Sequence, residues 1–143
     1  MLETIFNVLR EGWGWMFLRG AAMTLLISVL GMALGVVIGI TGASIKTNGP
    51  RWLLGPVSLY TTVVRSIPEL LIIYLLFFGS VQVVSDLADF MRMEDVMTRW
   101  FPALVGILAI GLIAGSYSVE VFRGALQAIP EGQIEAAKAI GMS

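Results

Sequence analysis

The stretch GAAMTLLISVLGMALGVVIGITGASI, residues 20–45, decides the fold class of this chain. Its 26 residues carry no charge, and a helix needs only ~20 apolar residues to cross a hydrocarbon core ~30 Å thick. Gly31, Gly35 and Gly39 recur every four residues and would share one face of such a helix. Small residues on one face allow a second helix to approach closely, although glycine is also common in membrane helices generally. The stretch therefore predicts a membrane-spanning helix with a candidate packing face.

The composition places the whole chain in the membrane class. Its 143 residues are 57% hydrophobic and 13% charged, with a mean hydropathy of +0.88, whereas soluble domains are about half apolar and about a quarter charged. The chain has no Cys and no His, which excludes disulfides, thiolate or imidazole metal sites and catalysis by a Ser-His-Asp triad. A net charge of −1 gives no basic surface for nucleic acid. The sequence thus indicates an integral membrane protein with no catalytic residue, no metal site and no nucleic-acid partner.

Two further apolar blocks follow the first. The second begins after Arg51 and is interrupted by Arg65 and Glu69, and the third covers residues 100–119 without a charge. Because alternation of apolar and polar residues is absent, a transmembrane barrel does not fit. We expect three membrane helices, at about residues 18–42, 53–80 and 100–121.

The charges of the loops predict the orientation. The first loop, residues 41–52, carries Lys46 and Arg51 and no acid, whereas the second, residues 79–99, balances two arginines with four acidic residues. Lys and Arg are enriched in cytoplasmic loops. We therefore expect the first loop and the carboxyl-terminal tail on the cytoplasmic side and the amino terminus outside.

The second helix should kink or open at Pro68. Proline cannot donate a hydrogen bond to the carbonyl of Val64, and its ring crowds that carbonyl. Arg65 and Glu69 flank this position four residues apart, so on a continuous helix they lie one turn apart on one face.

A charge pair at membrane depth beside a helix break indicates a transport site. A guanidinium suits the carboxylate of a permeant zwitterion, and a carboxylate suits its ammonium. Arg65, Ser66 and Glu69 are therefore candidates for the translocation path. The alternative is that the two charges neutralise each other, or charges of another helix, and only hold the bundle together.

The tail contains a short helix after a turn signal at residues 129–132. It is expected over about residues 132–142, with Glu135 in its first turn as the helix dipole prefers. On residue pattern alone, an amphipathic helix lying on the membrane would look similar. Just before it, Glu120 and Arg123 close the third membrane helix, either as an ion pair at the helix end or as a gating contact.

This tail resembles a known motif. Glu135-Ala136-Ala137, followed after three further residues by Gly141, resembles the EAA loop of ABC importer membrane subunits. The segments 115–124 (GSYSVEVFRG), 129–133 and 60–79 are similar to the polar amino acid permeases within that group.

In having an acidic residue after Pro68, the chain resembles the branch of that family that carries histidine, lysine, arginine or opines. The resemblance implies an all-α, MetI-like ABC importer permease fold over residues 1–143. Three of the usual five transmembrane helices would be present, together with the EAA coupling helix, and the domain would be incomplete at its carboxyl end. We accordingly expect the sequence to be a fragment of a longer permease.

The resemblance also implies a function, namely a permease subunit of an ATP-driven importer for polar, basic or opine-type, amino acids in the bacterial inner membrane. Glu135, Ala136, Ala137 and Gly141 would couple it to a cytoplasmic ATPase subunit, which would bind ATP and Mg²⁺, so that no cofactor is expected in this chain. The other partners implied are a second permease subunit, identical or paralogous, a periplasmic solute-binding protein, the amino acid and membrane lipid.

Two alternatives come from the residues alone. One is a small structural or regulatory membrane protein that dimerises through the face of Gly31, Gly35 and Gly39. The other is a passive channel, which one Arg/Glu pair supports weakly because channels use repeated rings of charge or carbonyl groups.

Overall fold

The computed structural model describes residues 13–91 and 94–142 of the chain. Its helices are α1 (Gly14–Asn48), α2 (Arg51–Ser66), α3 (Glu69–Met91), α4 (Glu94–Gln127) and α5 (Glu131–Ala139). Two of them, α1 and the Trp100–Gln127 part of α4, are long and apolar enough to cross a membrane. The bent pair of α2 and the first part of α3 adds a third span if it is counted as one. No strand occurs in the described ranges, and the predicted all-α membrane fold is confirmed.

α1 extends beyond the predicted 18–42 at both ends, so that Lys46 lies in its last turn and not in a loop. The helix ends where Gly49 becomes extended (φ −80°, ψ 167°) ahead of Pro50, because a residue before proline is disfavoured in the helical region. α4 likewise extends beyond the predicted 100–121. Hydropathy marks the part of a helix that suits the membrane, and it misses polar turns such as the one that carries Lys46.

The predicted second membrane helix, at 53–80, is in fact two helices. α2 and α3 meet at a bend of 106°. Ile67 is extended between them, as expected before proline. The carbonyl of Pro68 then accepts the first backbone hydrogen bonds of α3, at 2.9 Å from the nitrogen of Leu71 and 3.3 Å from that of Ile72. The predicted break at Pro68 is confirmed, and the single helix over 53–80 is wrong.

Glycine residues on both helices allow α1 and α4 to pack closely. A Cβ added to Gly35 would lie 2.9 Å from the Cβ of Ala114 and 3.1 Å from the nitrogen of Gly115. α4 has the same feature, since a Cβ added to Gly115 would lie 2.8 Å from the side chain of Ile38. Such close approach suits membrane helices, where van der Waals packing drives association.

The buried glycines answer the question of what the predicted packing face contacts. Gly31, Gly35 and Gly39 are all buried in α1, and each lies against α4 of the same chain. The predicted close approach of a second helix is confirmed. The alternative in which this face dimerises is wrong, because α4 already covers it.

The outer surface of the bundle is strongly apolar. Leu25, Val29 and Val37 on α1 and Leu75 and Phe78 on α3 each expose more than half of their surface. A large apolar surface marks contact with a membrane or with other proteins. The helices are therefore arranged for lipid or for further membrane helices on their outer faces.

Candidate functional site

A polar cleft opens between α2 and α4. It has a volume of about 480 Å³ and is lined by Thr61, Thr62, Arg65, Ser66, Tyr117 and Glu120. Residues three or four apart lie on one face of a helix, so two turns of α2 and one turn of α4 supply this lining. The cleft brings two predicted path residues, Arg65 and Ser66, together with the predicted gating residue Glu120.

The guanidinium of Arg65 faces the ring of Tyr117. Its central carbon lies 5.5 Å from the ring centroid, within the ~6 Å range of a cation–π contact. The ion pairs of the described residues join Glu120 to Lys46 and to Arg123, so Arg65 has no carboxylate partner among them. The charge of Arg65 is thus held against an aromatic ring and remains open to an anion in the cleft.

Glu120 is held by two cations. Lys46 Nζ lies 2.5 Å from Oε1, and Arg123 Nε lies 3.3 Å from Oε2. Lys46 also donates a hydrogen bond of 2.8 Å to the hydroxyl of Thr61. The side chain of Lys46 is only 10% exposed and Thr61 is buried, so the cluster joins α1, α2 and α4. The ion pair expected between Glu120 and Arg123 is present, and a gating role for the two residues stays a prediction.

Lys46 and Thr61 are the contacts that sequence reasoning missed. The predicted helix bounds leave Lys46 in a loop, where its charge indicates only how the chain is oriented in the membrane. A charge balance for the third membrane helix could have found it, because a carboxylate such as Glu120 near an apolar span needs a cation at similar depth. No comparable signal marks Thr61, since single hydroxyl groups are frequent in membrane helices.

Tyr60 fixes α2 against α4. Its hydroxyl donates a hydrogen bond of 2.6 Å to the carbonyl of Leu112. Gly115 leaves room for this hydroxyl, because a Cβ there would lie 3.1 Å from its oxygen. The contact stabilises the relative position of the two helices in which Arg65 meets Tyr117.

Glu69 lies outside the cleft. It is the first residue of α3, beyond the bend, and it is exposed. Arg65 and Glu69 therefore lie on separate helices and form no ion pair within the described chain. The one-turn spacing expected on a continuous helix is wrong, because Pro68 divides that helix. The residues that the structure describes contain no group of three His, Cys, Asp or Glu side chains that could hold a metal ion.

Gly141 forms a defined cap at the end of α5. Its φ is 83°, in the left-handed region that other residues adopt at a cost. Its N–H bonds the carbonyl of Lys138 at 3.0 Å, and the N–H of Met142 bonds the carbonyl of Ala137 at 3.0 Å. These two bonds around a left-handed glycine constitute a Schellman motif.

α5 projects from the bundle. It spans Glu131–Ala139, and the predicted 132–142 runs too far because the glycine cap ends the helix. The EAA residues, 135–137, are exposed or half-buried. The two apolar side chains just after the helix, Ile140 and Met142, are 77% and 63% exposed. α5 therefore presents small residues and an apolar end that no helix of the described chain covers.

Sequence comparisons identify the family to which this arrangement belongs. Residues 31–143 match the family of binding-protein-dependent transport system inner membrane components. The chain belongs to this family. It is thereby a multi-pass membrane permease domain of the MetI-like type, and the predicted resemblance is confirmed.

Three relatives illustrate the similarity. The chain is 40% identical over 132 residues to the octopine transport system permease protein OccQ of Rhizobium radiobacter and 42% identical over 134 residues to the nopaline transport system permease protein NocQ of Agrobacterium fabrum. It is 34% identical over 132 residues to the histidine/lysine/arginine/ornithine transport system permease protein HisQ of Salmonella typhimurium. Each alignment covers 92% of this chain and 55%, 56% and 57% of the respective relatives. The chain thus spans about half the length of the curated relatives it matches. No solved structure matches it significantly.

Proposed function

We propose that this chain is part of a membrane-spanning permease subunit of an ATP-driven importer of basic or opine-type amino acids. In this proposal, α5 receives the motion of a cytoplasmic ATPase subunit, which binds ATP and Mg²⁺. A second permease subunit and a periplasmic solute-binding protein complete the transporter. The names of the octopine, nopaline and histidine/lysine/arginine/ornithine permeases support the substrate class.

The exposed position of α5 is the observation that carries the coupling proposal. Ala136 and Ala137 are small, so the helix backbone can enter a groove of a partner protein. The cap at Gly141 turns the chain so that Ile140 and Met142 extend from the end of the helix, where both are well exposed. Glu135, Ala136, Ala137 and Gly141 are therefore the proposed contacts with the ATPase.

The connection from α5 to the membrane helices supports transmission of a movement. Only residues 128–130 separate α5 from α4, and α4 is packed along α1 through glycine. The Lys46–Glu120 ion pair adds a polar bond between the same two helices. A displacement of α5 would therefore move α1 and α4 together. In this proposal the ATPase is cytoplasmic, so the amino terminus of α1 would lie outside.

The polar cleft supports the translocation path. A basic amino acid carries a carboxylate and a cationic side chain, and the cleft offers the guanidinium of Arg65 and the carboxylate of Glu120. Charge-assisted hydrogen bonds of this kind are the strong ones. The hydroxyl of Ser66 lines the same space, and Glu69 follows beyond the bend. We therefore assign Arg65, Ser66 and Glu69 to the path, and a gating contact to Glu120 and Arg123.

Gly132 within α5 and Gly141 in its cap provide a matched test of the coupling. A Cβ meets no atom within 4 Å at Gly132 or at Gly141, but only Gly141 has a positive φ. In the complete transporter in lipid vesicles, Gly141→Ala should lower L-arginine uptake per ATP hydrolysed, because a left-handed alanine costs roughly 1–2 kcal/mol and shifts the equilibrium of the cap against the native conformation by about 5–30-fold. Gly132→Ala should leave this ratio unchanged.

Charged substitutions extend the same test. Gly141→Asp and Glu135→Lys should uncouple ATP hydrolysis from uptake while membrane insertion persists. The coupling assignment fails if uptake and co-purification of the ATPase both survive these changes. The substrate class fails if the unmodified transporter takes up neither L-arginine nor octopine.

A further inference from the structure

The polar cleft has one end that is already occupied by the protein itself. Lys46 reaches in from α1 and bonds two residues that line the cleft, Thr61 and Glu120. At the other side of the lining, Arg65 has no carboxylate partner within the described chain. The cleft therefore has a filled anionic site and an open cationic site.

We propose that Lys46 is a tethered competitor for the cationic side chain of the substrate. Its ammonium occupies Glu120 while the cleft is empty and gives way when a basic amino acid enters. This inference rests on the proposed import of basic amino acids. The carboxylate of such a substrate suits Arg65, and its side-chain cation can replace the ammonium of Lys46 at the same oxygen.

Lys46 is better suited to this exchange than Arg123, the other partner of Glu120. Arg123 is bound to Glu120 from the same helix three residues away and is 39% exposed, whereas Lys46 also bonds a second lining residue, Thr61. Lys46 lies in the last turn of α1 on a flexible four-carbon stem. A lysine near a helix end can extend its ammonium to the membrane surface, so Lys46 can leave the cleft without losing solvation.

The exchange involves cationic substrates only. A basic substrate restores both the ion pair with Glu120 and the hydrogen bond to Thr61 when it displaces Lys46, so little net bonding is lost. A neutral substrate of the same shape has no cation to put in place of the ammonium, and leaving the half-buried carboxylate with one cation fewer is costly, so such a substrate would bind with Lys46 still on Glu120. Lys46 thus sets the affinity for basic substrates alone, through competition and not through a contact with the substrate.

The test compares L-arginine with L-citrulline, its neutral analogue of similar shape, in uptake by the complete transporter in lipid vesicles. Lys46→Met should lower the KM for arginine by about tenfold, the factor for one charge-assisted hydrogen bond at a partly exposed site. The KM for citrulline should not fall. Lys46→Arg keeps a competing cation and should resemble the unmodified protein.

Arg51→Met is the matched control for net charge. Arg51 is an exposed cation at the start of α2, so its removal changes the charge of the protein without changing the cleft. It should leave both KM values unchanged. If Lys46 only holds the helices together, Lys46→Met will impair the uptake of arginine and citrulline alike, and this result overturns the inference.

A second variant, Lys46→Cys, tests the inference if the Lys46→Met protein does not assemble into a transporter. These 143 residues contain no Cys, so Lys46→Cys can be modified with a cationic aminoethyl reagent or with a neutral methyl reagent. The cationic reagent should restore the higher KM for arginine, and the neutral one should keep it low; equal KM values overturn the inference. A transporter without uptake of arginine or octopine before any substitution refutes the proposed function and this inference together. If the unmodified transporter takes up arginine normally and Lys46→Met leaves the ratio of the KM values for arginine and citrulline unchanged, the inference alone is refuted.

Discussion

One methyl group added at Gly35 is expected to weaken the contact between α1 and α4. The new Cβ would lie 2.9 Å from the Cβ of Ala114 and 3.1 Å from the nitrogen of Gly115, whereas ordinary contacts lie at 3.4–4 Å. Because one of these atoms belongs to the backbone, rotation of a side chain cannot relieve the overlap. The two helices must move apart, and the contacts of neighbouring residues lengthen with them.

The magnitude follows from two opposing effects. Overpacking of a well-packed interior costs about 1–3 kcal/mol, while alanine gains about 1 kcal/mol over glycine in the interior of a helix. Gly20→Ala in the same helix has the second effect alone, because a Cβ there meets nothing within 4 Å. The free energies of unfolding of the two variants should therefore differ by about 1–3 kcal/mol, with Gly35→Ala the less stable.

The assay is unfolding of the purified protein in mixed micelles by increasing denaturing detergent, followed by loss of helical circular dichroism. The transition midpoint of Gly35→Ala should lie below that of Gly20→Ala. Equal midpoints would refute the reasoning, because the backbone overlap could then be absorbed at no cost. A change of oligomeric state without a change of midpoint would instead restore the glycine face as a contact between copies of the chain.

Two further pairs of substitutions test the cleft and its support. Arg65→Ala should raise the KM for L-arginine about tenfold or more, because a charge-assisted bond to the substrate carboxylate is lost, and Glu69→Gln, outside the cleft, should have a smaller effect; unchanged KM values in both would remove these residues from the path. Tyr60→Phe should lower the free energy of unfolding by about 0.6 kcal/mol and by at most about 1.7, the range for hydrogen bonds between membrane helices, since it loses the 2.6 Å bond to Leu112. Tyr74→Phe changes an exposed ring and should have no effect in the same titration, so equal losses would contradict the assignment.

Local chemistry explains which parts of the fold could be predicted. The uncharged stretch 20–45 needs no partner to indicate a membrane helix, because the bilayer itself imposes the requirement for apolar residues. Pro68 breaks its helix through its own missing N–H and ring, whatever surrounds it. The family resemblance rested on short motifs such as residues 135–141, which are contiguous in sequence.

Contacts between distant residues could not be predicted in the same way. The glycine face of α1 indicates that something packs there, but the partner lies about 80 residues later in α4, and composition cannot distinguish it from a second copy. Arg65 and Glu69 show the opposite error, since spacing suggested a pair that the direction of the chain after Pro68 prevents. Spacing predicts neighbours only within one regular helix, and the site is built from three helices.

Lys46 connects the polar cleft to α1 and α4, the helices that would carry the proposed movement of α5. It belongs to α1, which packs along α4, and its hydrogen bond to Thr61 is a polar contact between α1 and α2. The contact of α2 with α1 is smaller than that between α1 and α4. One hydrogen bond is therefore a larger share of the α1–α2 contact. If the substrate displaces Lys46 from Glu120, the same event releases Thr61. Entry of a basic amino acid would then remove the polar contact of α2 with α1, while the hydroxyl of Tyr60 keeps α2 bound to α4, so that a single exchange of cations would change how α2 is held in the bundle.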